Sequence, residues 1–133
     1  LNEKLAALEA AAEEARSLPL GSPADLRLNA VATPGSTANE SFAVASDRVL
    51  SVTDIVFQNP DGAAGRVALL RNGEVLLESE LANFRDLDLH FVAPFRFDSN
   101  DTVEIRIDCK TPGPNVANCE VGATIVGFVD QAG

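Results

Sequence analysis

The hydrophobic positions change period near residue 18. Over residues 1–17, Leu1, Leu5, Leu8, Ala12 and Ala15 recur at alternating spacings of four and three. That spacing is the seam of a heptad, narrower than the face a helix buries against a globular core. The other positions are largely Glu, Lys, Arg and Ala, and Pro19 and Gly21 end the pattern. The segment predicts a short coiled-coil helix of about 25 Å. Its seam needs a partner helix to cover it. Residues 18–25, LPLGSPAD, read as a linker, and 26–133 as a β head.

In the head the period becomes two. Leu26, Leu28 and Ala30 alternate with Arg27 and Asn29. TPGSTANE (33–40) reads as a polar loop, followed by a short strand marked by Phe42 and Val44. VLSVTDIVFQN (49–59) is a longer strand whose phase shift after Asp54 predicts a bulge. NPDGAAG (59–65) is a turn. RVALLR (66–71), Asn72-Gly73 and EVLLESEL (74–81) form the clearest hairpin, because both turn residues tolerate positive φ. NFRD (83–86) is a connector. LDLHFVAPFRF (87–97) is a strand with Pro94 at an edge or bend. DSND (98–101) turns the chain into TVEIRIDC (102–109), and CEVGATIVGFVD (119–130) ends the fold. About eight strands at this spacing predict a single antiparallel β-sandwich, jelly-roll-like in kind.

Composition narrows what such a head does. Of 133 residues, 46% are hydrophobic, enough for a core, but only 5% are aromatic and all of those are Phe. Stacking platforms for carbohydrate rings and for single-stranded nucleic acid are therefore poorly supplied. The net charge of −10, with Lys and Arg scattered singly, argues against nucleic acid and anionic membrane surfaces. No apolar run is long enough to span a bilayer. The chain starts at Leu1 inside a helical pattern and contains no Met. The expectation is that the natural N-terminus lies upstream, and that any membrane contact runs through an upstream anchor.

Cys109 and Cys119 flank KTPGPNVAN, a turn-rich loop between two strands. At the facing ends of a hairpin they meet the geometry of a disulfide. Two buried free thiols are the alternative. Zinc is a ligand short, with two Cys and one distant His. A disulfide implies an oxidising, extracytoplasmic location, secreted or at the cell surface.

Candidate sites have ordinary competitors. Asp98, Asn100 and Asp101 are oxygen ligands of the calcium type, but their spacing is also turn chemistry; Asp61 is a similar case. His90 shares a strand face with Asp88, and no nucleophile motif accompanies the pair. Asp86/Asp88 and Glu78/Glu80 read as solvated charge rather than as a glycosidase pair. No cofactor is implied. Phe84, Arg85, His90 and Phe95 are candidate interface residues, because aromatic and Arg enrichment is typical of interfaces. Core Phe flanked by surface Arg is the competing reading.

The stretch ENFRDLDLHFVAPFRF, with VTDIVFQNPDG and the terminal Cys pair, resembles uncharacterised exported β-sandwich domains of high-GC Gram-positive bacteria. The resemblance covers about residues 45–130 and implies an exported location. The expectation is a non-enzymatic, extracytoplasmic structural or assembly protein, its β head oligomerised through the stalk, with a trimer favoured. One alternative is a module binding carbohydrate or another surface ligand, its partner a protein or glycan at the cell surface. Another is an accessory subunit of a larger membrane or filament assembly.

Overall fold

The computed structural model describes residues 21–132. The heptad seam at Leu1, Leu5, Leu8, Ala12 and Ala15 lies outside the described residues, as do residues 18–20 of the 18–25 linker. Eight strands follow: β1 (Ser22–Ala32), β2 (Thr37–Ala43), β3 (Arg48–Gln58), β4 (Ala64–Arg71), β5 (Glu74–Glu80), β6 (Asp86–Phe97), β7 (Thr102–Thr111) and β8 (Cys119–Gln131). A short 3₁₀ turn, Leu81–Asn83, joins β5 to β6.

The strands form two four-stranded antiparallel sheets, ordered β1-β8-β3-β6 and β2-β7-β4-β5. The pairing is nested. β4 pairs with β5, β3 with β6, β2 with β7 and β1 with β8. The chain is thus one long hairpin rolled up until β3 meets β8 and β4 meets β7. Rolling turns the apolar faces of the strands inward, and β1 and β7 show the alternation most cleanly. Phe57, Phe97, Ile55, Leu69, Ile105 and Ile125 are fully buried between the sheets, each contributing about 2 kcal/mol.

The tip of the nested hairpin is the Asn72-Gly73 turn, with φ of 51° and 83°. Positive φ at both central residues is the type I′ geometry that the twist of paired strands favours. The β3 bulge falls between Val52 and Asp54, one residue before its predicted place. There the Ser51 carbonyl turns toward β8, and a Cβ on Gly127 would lie 1.8 Å from it. On the other side of β3 the register jumps from Val52↔Phe95 to Asp54↔His90. Residues 91–94 therefore bow out of edge strand β6 opposite Thr53 alone. Phe91 and Phe95 meet edge to face at 4.7 Å beneath the bow.

Three sequence expectations are corrected. Ser22–Asp25 belong to β1 and pair with Val126–Val129, so the strand begins inside the predicted linker. Thr37–Glu40 belong to β2 rather than to a polar loop, and pair with Ile105–Asp108. β2 is an edge strand with a solvated outer face, so Thr37, Asn39 and Ser41 carry no hydrophobic signal. The third correction concerns the cysteines. Cys109 and Cys119 form a disulfide, with Cα atoms 5.7 Å apart, but β7 and β8 lie in different sheets. The bond is not across a hairpin; it ties one sheet to the other, with both cysteines buried.

Candidate functional site

The β1–β2, β3–β4, β5–β6 and β7–β8 loops gather at the disulfide end. The Gly35 N–H donates to the Cys109 carbonyl at 2.7 Å, and the Asn59 N–H to the Arg85 carbonyl at 2.6 Å. Asn59 organises the meeting. It is the only buried polar residue among the described residues. Its Nδ2 donates to the carbonyls of Leu81 (2.9 Å), Ala63 (3.0 Å) and Phe84 (3.3 Å). Its Oδ1 accepts from the Ala63 N–H at 2.9 Å. Arg85 completes the knot: its Nε donates to the Asn59 carbonyl at 3.0 Å and its Nη2 to the Pro60 carbonyl. Sequence reasoning missed Asn59. The Asn-Pro-Asp-Gly turn marks it as a turn residue bonded locally to Ala63, but its other partners, Leu81 and Phe84, lie more than twenty positions downstream.

Beside this knot, on the outer face of the β1-β8-β3-β6 sheet, lies a shallow depression of about 440 Å³. Its floor is Gly122 on β8. The register places Asn29 and Gln58 on either side of it and Asp86 beyond, a straight row across four strands. Arg27 and Glu120 stand next to the row, and Pro60 and Arg85 form the lip toward the loops. The polar groups hold one another in place. Arg27 Nη2 donates to Gln58 Oε1 at 3.2 Å, Gln58 Nε2 to Asp86 Oδ1 at 3.4 Å, and Asn29 Nδ2 to Glu120 Oε2 at 3.0 Å.

The other sequence candidates are placed as follows. His90 Nδ1 lies 2.9 Å from Asp54 Oδ1, so its partner is Asp54 across the sheet and not Asp88 along the strand. An ionised Asp54 only accepts, so Nδ1 carries the proton. The Thr53 hydroxyl donates to the other oxygen of Asp54 at 2.7 Å. A relay of the serine-hydrolase kind needs the hydroxyl on the imidazole; here the carboxylate stands between them. The Thr53 hydroxyl and His90 together hold the Asp54 carboxyl below its ordinary value.

Asp98, Asn100 and Asp101 serve their turn. Asp98 Oδ1 accepts from Arg96 at 2.8 Å, Asn100 Oδ1 from Ser46 at 3.2 Å, and Asp101 from Asn72 at 2.8 Å and from the Asp98 N–H at 2.7 Å. The Asn72 amide and the Asp98 N–H lower the Asp101 carboxyl. Among the described residues, no group of three or more His, Cys, Asp or Glu could hold a metal ion. The four interface candidates are not brought together. Phe84 and Arg85 belong to the loop knot. Phe95, half-buried against the core, and His90 flank the bow of β6.

No family model matches the chain, and no curated protein matches it. Among solved structures it is similar to FLHE, at 12% identity over 80% of this chain and 97% of that one, with a TM-score of 0.46. It is also similar to the pre-peptidase C-terminal domain of a collagenase from Bacillus anthracis, at 16% identity over 85% and 91%, TM-score 0.41. A third is a family 35 carbohydrate binding module from Clostridium thermocellum, at 15% identity over 77% and 97%, TM-score 0.41.

Proposed function

We propose that this chain is an extracytoplasmic, non-enzymatic β-sandwich head that works by assembly and display. The heptad segment 1–17 gathers copies, three being favoured, and the heads present a repeated surface. One observation carries this reading. The chain enters β1 at Ser22, whereas the disulfide and the loop knot lie at the far end of β1, where Ala32 faces Cys119, and the depression spans the strand between Arg27 and that end. Eleven residues of strand separate the two ends by about 35 Å. A stalk before Ser22 would hold the loop end outward. The disulfide supports an oxidising compartment. Light scattering of the full chain and of a chain lacking residues 1–17 tests the reading. The expected masses are those of a trimer and a monomer; the same mass for both would overturn it.

The depression favours a second reading, a ligand-binding module on the same fold. In that case weak single contacts gain strength from multivalent presentation.

A further inference from the structure

Two other glycines within strands, Gly127 and Gly65, have an evident reason to be glycine. A Cβ on Gly127 would strike the Ser51 carbonyl oxygen at 1.8 Å, and one on Gly65 would strike the Asp108 carbonyl oxygen at 1.9 Å. Gly122 differs. Its backbone is not left-handed, and the nearest atoms to a built Cβ are Arg27 Nη2 at 3.5 Å and Asn29 Oδ1 at 3.6 Å, ordinary contacts. A glycine there weakens the strand for no reason of packing or backbone. What its missing side chain does is open the floor of the depression. Glycine inside a strand often marks close approach by a ligand.

The walls specify the ligand's chemistry. Two cations, Arg27 and Arg85, are matched by two anions, Asp86 and Glu120, so the depression has no net charge to select an ion. The amides of Asn29 and Gln58 offer donors and acceptors in alternation around the floor. Pro60 is the one apolar side chain besides the glycine floor, so an apolar ligand finds little to bury against. A ligand that both donates and accepts at closely spaced points, with no charge, is a polyhydroxylated one. We infer that the Gly122 depression is a binding site for a neutral saccharide, lying across β8 above Gly122 and exchanging hydrogen bonds with Arg27, Asn29, Gln58, Asp86 and Glu120. The inference rests on the ligand-binding reading above and assigns its site and ligand class. Without a stacking aromatic, a single site binds weakly, and affinity depends on several heads acting together.

The test is a titration of the isotope-labelled full chain with neutral hexasaccharides of glucose, xylose, mannose and N-acetylglucosamine, and with the anionic hexamer of galacturonic acid, all at millimolar concentration. At least one neutral sugar should shift the amide signals of Gly122, Asn29 and Gln58, and the anionic hexamer should shift them less. Gly122→Val suits a β-strand and fills the floor; it should fold normally and lose the shifts by tenfold or more in affinity. Asn29→Ala should weaken them without changing the melting temperature. Binding that maps elsewhere and survives Gly122→Val overturns the site and leaves the ligand-binding reading standing. Shifts at these residues by the anionic hexamer alone overturn the ligand class. No shift by any sugar overturns both.

Discussion

Asn59 sits where the β3–β4 turn meets the 3₁₀ turn and the start of β6, and its amide answers three carbonyls and one N–H away from water. Removing it strands those groups, and a buried unsatisfied group costs about 1–3 kcal/mol. Asn59→Ala should therefore lose about 3 kcal/mol in urea unfolding, more than truncation of any surface ion pair such as Arg66–Glu80. A loss within about 0.5 kcal/mol would show that the knot is not held by this amide. Two exposed carboxyls give a different kind of prediction. Asp54 and Asp101 are both held below the ordinary value of 3.8 in the folded chain. A carboxyl lowered by folding contributes stability that is present above its unfolded value and is lost as pH falls through its folded value. Asp54→Asn with Asp101→Asn should thus flatten the acid limb of a plot of melting temperature against pH, leaving less difference between neutral and acid conditions. An unchanged acid limb would mean that neither carboxyl is linked to folding.

Elements show what a sequence can and cannot disclose. β1, β7 and the β4–β5 hairpin were legible because alternation and the Asn72-Gly73 pair are local signals. β2 was half hidden, since an edge strand with a wet outer face need not alternate in hydrophobicity. The disulfide partners were legible as well, but turn chemistry reports that a chain reverses, not which sheet receives it. Hence the inter-sheet bond looked like a hairpin. The depression was invisible for a related reason: Asn29, Gly122, Gln58 and Asp86 come from four strands, and only the register aligns them. That register depends on the β3 bulge, which Gly127 accommodates. Gly127→Ala would set a Cβ 1.8 Å from the Ser51 oxygen. The expected cost is about 3 kcal/mol, read by denaturant unfolding. A near-neutral result would show that β3 and β8 can part at the bulge without harm.

At the scale of the whole molecule, two sheets are held face to face by apolar packing and by one covalent tie. Cys109 and Cys119 are separated by 10 positions. Closing a loop of that size limits the unfolded chain by about 3 kcal/mol. A Cys109→Ala, Cys119→Ala chain should keep the sandwich and lose about that much stability. An intact mass unchanged on reduction of the wild-type chain would remove the basis for an exported head. The nested pairing also has a temporal side. The first and last strands among the described residues, β1 and β8, are neighbours, and β8 lies between β1 and β3. During synthesis, the earliest strand of the head must wait for the last one. Only the inner hairpins can settle while the chain is still growing. A chain ending at residue 118 should accordingly give an amide spectrum without the dispersion of a folded sandwich, and a well-dispersed spectrum would refute this. If copies join through the segment before Ser22, as proposed, they do so while the heads are still incomplete, or only after each head is whole.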